Sequence, residues 1–224
     1  MTGVQTCALP ICGATGLSKT SLVAWYDFGD ATDAHASYDL TEDNSPSYTS
    51  GPPNYGSATA ASSQQWHTTA TTGMTSVWAP DTATDITLVI RFKIGASVTN
   101  GNYVFNTIDT RYALRHLTST GCTAYLNNVS PQTSTVLATG TWYLLIAQMD
   151  AATHTTHVWI NNSDQSSTSG SASASVTALY LGGISGGAED VDIDYAGFFN
   201  RLLTSDERTW LYNSGGTRTY AELD

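Results

Sequence analysis

The sequence predicts an all-β fold, two antiparallel sheets packed face to face as a sandwich, with one short helix near the C-terminus. From Ser21 onward, short β-branched and aromatic runs are divided by Gly, Pro, Asn and Asp clusters, the pattern of many antiparallel strands. Charged residues make up 12% of the chain, about half the usual ~25%. Ser, Thr, Asn and Gly carry the polar surface instead, residues that suit pleated strands and turns. Near the end the period changes once, from two to helical.

Strands are expected at 22–28, 64–67, 86–94, 103–107, 111–117, 123–126, 141–150, 155–160, 178–182 and 191–200. The alternation is clearest where Ile86, Leu88, Ile90, Phe92 and Ile94 share one face, which should be core. Thr155 to Ile160 is followed by Asn161 and Asn162, a pair that tolerates positive φ and suits a tight turn. Its economical partner is the strand at 141–150. The polar stretch at 165–175 reads as a long exposed loop. Thr204 and Glu207 form a capping box for a short surface helix that Gly215 and Gly216 should stop.

The 224 residues fit one leader and one domain, at 1–20 and 21–224. Residues 1–12 share neither the period nor the composition of the rest of the chain, lack a basic n-region, and have too short an apolar stretch for a signal peptide. Their wording resembles a translated sequencing adapter, so 1–20 is expected to be an unstructured or artefactual leader. The formal charge of −11, with Lys19 and Lys93 the lysines, disfavours phosphate backbones and anionic lipid, so neither nucleic acid nor membrane insertion is expected. Cys7, Cys12 and Cys122 are too few for a disulfide framework.

Four segments, in order, resemble the laminin-G-like branch of the concanavalin-A-like lectin and glucanase superfamily, of phage or bacterial type. They are Leu22 to Phe28 with Tyr38 to Asn44, Ile86 to Ile94, Gly140 to Asp150 with Val158 to Asn162, and Leu179 to Gly183 leading to Asp192 to Glu207. The resemblance implies a jelly-roll sandwich with a binding surface on a rim or concave face. It also implies a calcium ion between the first strand and the last, where Asp27 and Asp194 stand. Calcium would need six to eight oxygen ligands there.

Asp190, Asp192 and Asp194 alternate along one strand face, similar to the acidic strand of glucanases on this fold. A retaining pair must approach to roughly 5 Å, whereas i and i+4 on a strand lie about 13 Å apart, too far for aspartates. His35, His67, His116, His154 and His157 show no zinc spacing, Cys122 reads as a buried thiol, and no G-x-S-x-G elbow occurs. These residues supply no catalytic set. Aromatic faces stack on sugar rings, and the residues assigned to that role are Trp66, Tyr103, Tyr112, Trp78 and Tyr125. Trp25, Trp142, Trp159 and Trp210 fall on positions that read as packing. Three functional readings stand: a non-catalytic carbohydrate- or cell-surface-binding module of a virion or secreted bacterial protein, a glycan-cleaving hydrolase or lyase, and a purely structural virion protein. An extracellular or virion location and a possible homo-oligomer or virion assembly go with the first and third.

Overall fold

The computed structural model describes residues 16–51, 55–60, 65–68, 84–95, 103–107, 113–117, 121–125, 136–169, 179–182 and 190–224. In chain order the described strands are β1 (Leu22–Tyr26), β2 (Thr41–Asp43), β3 (Ser47–Gly51), β4 (Tyr55–Ala60), β5 (Gln65–His67), β6 (Ile86–Ile94) and β7 (Tyr103–Thr107). They continue with β8 (Ala113–Leu117), β9 (Gly121–Tyr125), β10 (Trp142–Asp150), β11 (Thr155–Ile160), β12 (Ser163–Ser169), β13 (Leu179–Leu181) and β14 (Val191–Phe199). The helix α1 (Ser205–Tyr212) comes next. All described pairings are antiparallel, and they form two sheets. One runs β12-β11-β10-β6-β14-β4-β3, with β1 also on β14; the other runs β2-β5-β13-β7-β8-β9. The fold is the expected all-β sandwich.

Period-two alternation places the first core. Ile86, Leu88, Ile90, Phe92 and Ile94 face inward beside Leu145 and Ala147 of β10, and meet Trp66, Phe105, Leu114 and Leu181 from the second sheet. The other face of the first sheet is apolar as well. There Val89, Leu144, Ile146, Trp25, Tyr195 and Phe199 lie under Leu203 and Leu211 around α1, and under Leu17 and Leu223 from the two ends of the described chain. Those ends are clasped by Lys19 N–H to Asp224 O at 2.8 Å and Asp224 N–H to Leu17 O at 3.0 Å. A sheet covered on both sides explains why β6 and β14 are buried along almost their whole length.

The β10–β11 hairpin pairs as expected, Leu145 opposite Ile160 through Asp150 opposite Thr155. Asn161 and Asn162, at φ 50° and 62°, then turn the chain into β12. Part of the stretch expected to be a loop at 165–175 is therefore strand, since β12 extends to Ser169 and pairs with β11. Strand β3 at the sheet edge and its neighbour β4 lie outside the expected set too, because their Ser, Thr and Gly carry no apolar period. The capping box on α1 is present, with Thr204 Oγ1 accepting from Glu207 N–H. The helix ends shortly before the glycines, at Asn213 in the left-handed region with φ 42°. No described helix is long and apolar enough to cross a membrane.

Glu207 ties α1 back to the sheet. Arg201 donates to both its carboxylate oxygens, at 2.8 and 2.6 Å, and Thr204 N–H donates at 2.9 Å. Burial alone would push this carboxyl up, but the Arg201 and Thr204 donors outweigh it and hold it below the ordinary 4.5. A depressed folded-state value contributes stability above the ordinary value and loses it as pH falls through the folded one. Glu207→Gln should therefore cost about 1.5–3 kcal/mol at neutral pH. In urea unfolding at a series of pH values, its deficit relative to wild type should close as the pH drops below 4.5.

Candidate functional site

The outer face of the first sheet is incompletely covered beside α1. Gln148 and Asp150 of β10 and His157 and Trp159 of β11 point to that face at alternate positions, with Gln148 opposite His157 and Ile146 opposite Trp159. Leu202 and Leu203 from the turn after β14, and Arg208 from α1, close the other side of a cleft of about 220 Å³. The His157 and Trp159 rings lie near-parallel with centroids 5.6 Å apart. The Arg208 guanidinium sits 4.1 Å over the Trp159 ring, a cation–π arrangement that orients both groups.

A polar network locks the floor. Gln148 Nε2 donates to Thr87 Oγ1 at 3.0 Å and to Leu203 O at 3.3 Å, and Gln148 Oε1 accepts from Arg208 Nη1 at 3.2 Å. The same Nη1 donates to Leu203 O at 2.7 Å. Asp150 is held at the cleft mouth, its Oδ1 accepting the N–H groups of Ala152 and Thr153 at 2.8 and 3.0 Å. Burial lowers the Arg208 guanidinium, with Asp164 and Glu207 opposing, and arginine stays cationic throughout the physiological range.

Of the aromatics assigned to ligand contact, Trp66 belongs to the core. It is 0% exposed, its Nε1 donates to Tyr48 Oη at 2.8 Å, and its ring meets Phe28 edge-on at 5.2 Å. Tyr103 and Tyr125 stand on β7 and β9 of the second sheet, opposite Arg115 and Ala113, and their side chains lie outside the described residues. Tyr112 and Trp78 lie outside them too, as does the Cys122 side chain. Trp25 packs as expected. Trp159 and Trp210, half-buried, pack against the outer core as expected, and Trp142, Trp159 and Trp210 each lie beneath a cation from Arg91, Arg208 or Arg218. Trp159 thus packs, as the period-two reading assigned it, and also lines the cleft. The signal was present in Thr155 to Ile160: His157 shares the face of Trp159, and a face carrying histidine is not the inter-sheet core.

Asp27 and Asp194 do not fit a calcium ion. Asp194 Oδ2 accepts from Arg91 Nη1 at 2.6 Å and from the Thr217 hydroxyl. Asp27 accepts from Trp25 Nε1 at 2.7 Å and Tyr220 N–H at 3.1 Å. Burial pushes both carboxyls up, opposed at Asp194 by Thr217 and Arg91 and at Asp27 by the two N–H donors. These partners are hydrogen donors and a guanidinium, whereas calcium requires a shell of oxygen acceptors. Among the described residues no three His, Cys, Asp or Glu side chains gather as a metal site. On the acidic strand Asp192 pairs with Lys93 and Asp194 with Arg91, so each of these two carboxylates answers a cation of its own.

No protein-family model matches the sequence, and no curated protein matches it significantly. Solved structures do. The binding domain of Paraclostridial Mosquitocidal Protein 1 superposes with a TM-score of 0.69 at 10% identity, covering 88% of this chain and 53% of that one. Domain 4 of AbnA, an extracellular GH43 arabinanase from Geobacillus stearothermophilus solved with arabinotriose, gives 0.66 at 16% identity, covering 86% and 98%. The binding domain of botulinum neurotoxin DC, solved with SialylT, gives 0.63 at 9%, covering 87% and 51%. The chain shares the β-sandwich fold of these binding domains, spanning about half of each toxin chain (53% and 51%) and nearly all of the arabinanase domain (98%).

Proposed function

We propose that the chain is a non-catalytic carbohydrate-binding module of laminin-G-like type, working outside the cell in a secreted or virion protein. The observation that carries this is the cleft of Trp159, His157, Gln148, Asp150 and Arg208 on the outer face of the first sheet. A sugar ring has an apolar C–H face and a rim of hydroxyls. An indole and an imidazole supply the matching apolar wall at small entropic cost, and an amide, a carboxylate and a guanidinium supply fixed donors and acceptors for the rim. A volume of about 220 Å³ falls below the roughly 300–1,000 Å³ of pockets that enclose drug-sized ligands, so the cleft suits one sugar unit of a longer glycan. Domains of this fold solved with arabinotriose and with SialylT agree with the reading. The hydrolase alternative gains nothing from the acidic strand, where Asp192 and Asp194 are each neutralised.

A glycan array probed with the full chain, followed by calorimetry on the best ligand, tests the proposal. Trp159→Ala should weaken binding by about 2 kcal/mol, roughly 30-fold in Kd, while keeping the β-sheet circular dichroism of wild type. Loss of binding in Tyr103→Ala or Tyr125→Ala with none in Trp159→Ala would move the site to the second sheet. Absence of binding to every glycan would remove the reading.

A further inference from the structure

We propose that the cleft selects neutral, hydroxyl-rich sugars over sugars that carry a carboxylate, with Asp150 accepting the hydroxyl hydrogens; this rests on the carbohydrate reading above. The hydrogen bonds already made decide what the cleft can still offer. Gln148 spends its amide hydrogens on Thr87 Oγ1 and Leu203 O. Arg208 spends Nη1 on Gln148 Oε1 and Leu203 O, and its Nε is enclosed by protein, out of a ligand's reach. Neither edge of the guanidinium therefore keeps both of its nitrogens for the parallel bonds that hold a carboxylate. The Arg208 charge is also answered already, by Asp164 and Glu207 nearby.

Asp150 is the opposite case. An ionised carboxylate has about four lone-pair sites, shared between its oxygens. Oδ1 uses its share on Ala152 and Thr153 N–H, at 2.8 and 3.0 Å, whereas Oδ2 has no partner among the described residues. The side chain is half-buried and lines the cleft. The turn thus fixes the carboxylate while one oxygen stays available. Hydroxyls that donate to it make charge-assisted bonds, stronger than neutral ones. An ionised sugar carboxylate has no hydrogen to give and would set like charges side by side. Asp85 adds a second negative charge at the same turn, its Oδ1 accepting Ala151 N–H at 2.9 Å, and the formal charge of −11 repels anions at longer range. On β11, His157 comes two residues after Thr155, the partner of Asp150, and its ring lies near-parallel to Trp159. The acceptor therefore borders the aromatic wall, where the hydroxyl rim of a stacked sugar falls.

The test uses the full chain, first on the glycan array and then in calorimetry on matched oligomers: glucose against glucuronate, galactose against galacturonate, and mannose against mannuronate. Array hits should be neutral glycans, and a neutral oligomer should bind about tenfold or more tightly than its acidic partner. Asp150→Asn keeps an acceptor for the turn but offers amide hydrogens where the sugar's own hydroxyls donate. It should weaken neutral binding about tenfold and bring the two members of a pair within about threefold of each other. A merely structural role for Asp150 would leave that ratio unchanged. Acidic hits on the array, equal binding within the pairs, or a wild-type ratio in Asp150→Asn overturns the selectivity alone. In each of those cases weaker sugar binding by Trp159→Ala would still uphold the carbohydrate site, and absence of binding to every glycan would sink both.

Discussion

Arg91→Ala should destabilise the protein by about 3–5 kcal/mol, the largest loss expected from any single charged residue here. Strand β14 carries a bulge, with Ile193 opposite Phe92, Tyr195 opposite Arg91, and Asp194 left over between them. The extra residue drives the Asp194 carboxylate under the C-terminal segment, where it is 6% exposed. Arg91 answers it at 2.6 Å, donates its second nitrogen to Gly215 O at 2.8 Å, and lies 4.6 Å over Trp142. Alanine would strand a buried carboxylate with the Thr217 hydroxyl as its remaining partner, and remove the bond that pins the segment after α1. The loss belongs to the orphaned charge and not to the pair as such, because replacing a whole buried pair by apolar groups is often neutral. Urea unfolding of Arg91→Ala and of the double variant Arg91→Leu with Asp194→Leu should therefore show the single change as the worse of the two.

Trp25→Ala should cost a similar 3–5 kcal/mol. The indole is fully buried and stacks on Tyr195 at 5.1 Å and 15°. It rests on the bare backbone of Gly197, where a Cβ would lie 2.6 Å from Cε3. Its Nε1–H is one of the donors that satisfy Asp27. Truncation opens a cavity in the outer apolar layer and leaves Asp27, a carboxylate that burial already disfavours, with the Tyr220 N–H as its remaining donor. Thermal unfolding should show the drop. A variant as stable as wild type would mean that the outer apolar layer contributes little.

These two sites also mark where the sequence stops being readable. Ile86 to Ile94 announces its inward face, and Thr204 with Glu207 announces the helix, because each signal is local. In β14 the bulge at Asp194 exchanges the faces, so that Ile193 belongs to the inter-sheet core while Tyr195, two residues on, belongs to the outer layer. Strict alternation cannot foresee that exchange. A sheet apolar on both faces defeats the reading in a second way, since Trp159 and Trp25 both look like packing although the first lines a cleft. Trp66 errs in the opposite direction: assigned to ligand contact, it stands on the second sheet and is buried against the first. The edge strands β3 and β12, and β4 beside β3, are rich in Ser, Thr, Gly and Ala, and their pairing comes from backbone hydrogen bonds, which leave no trace in hydrophobic period. The Nη1 anchoring of Arg208 depends on a helix and a hairpin meeting across distant parts of the chain, and no motif encodes it.

A glycan bound as proposed sits against Trp159 on the outer face of the first sheet. The chain has six tryptophans, and each gives one indole N–H signal in a 15N–1H correlation spectrum, assignable by substituting each with phenylalanine in turn. At saturating concentration of the best-binding glycan, the Trp159 signal should move most, while those of the buried Trp25 and Trp66 stay in place. An unmoved Trp159 signal alongside a shifted Trp78 signal would place the glycan away from the outer face.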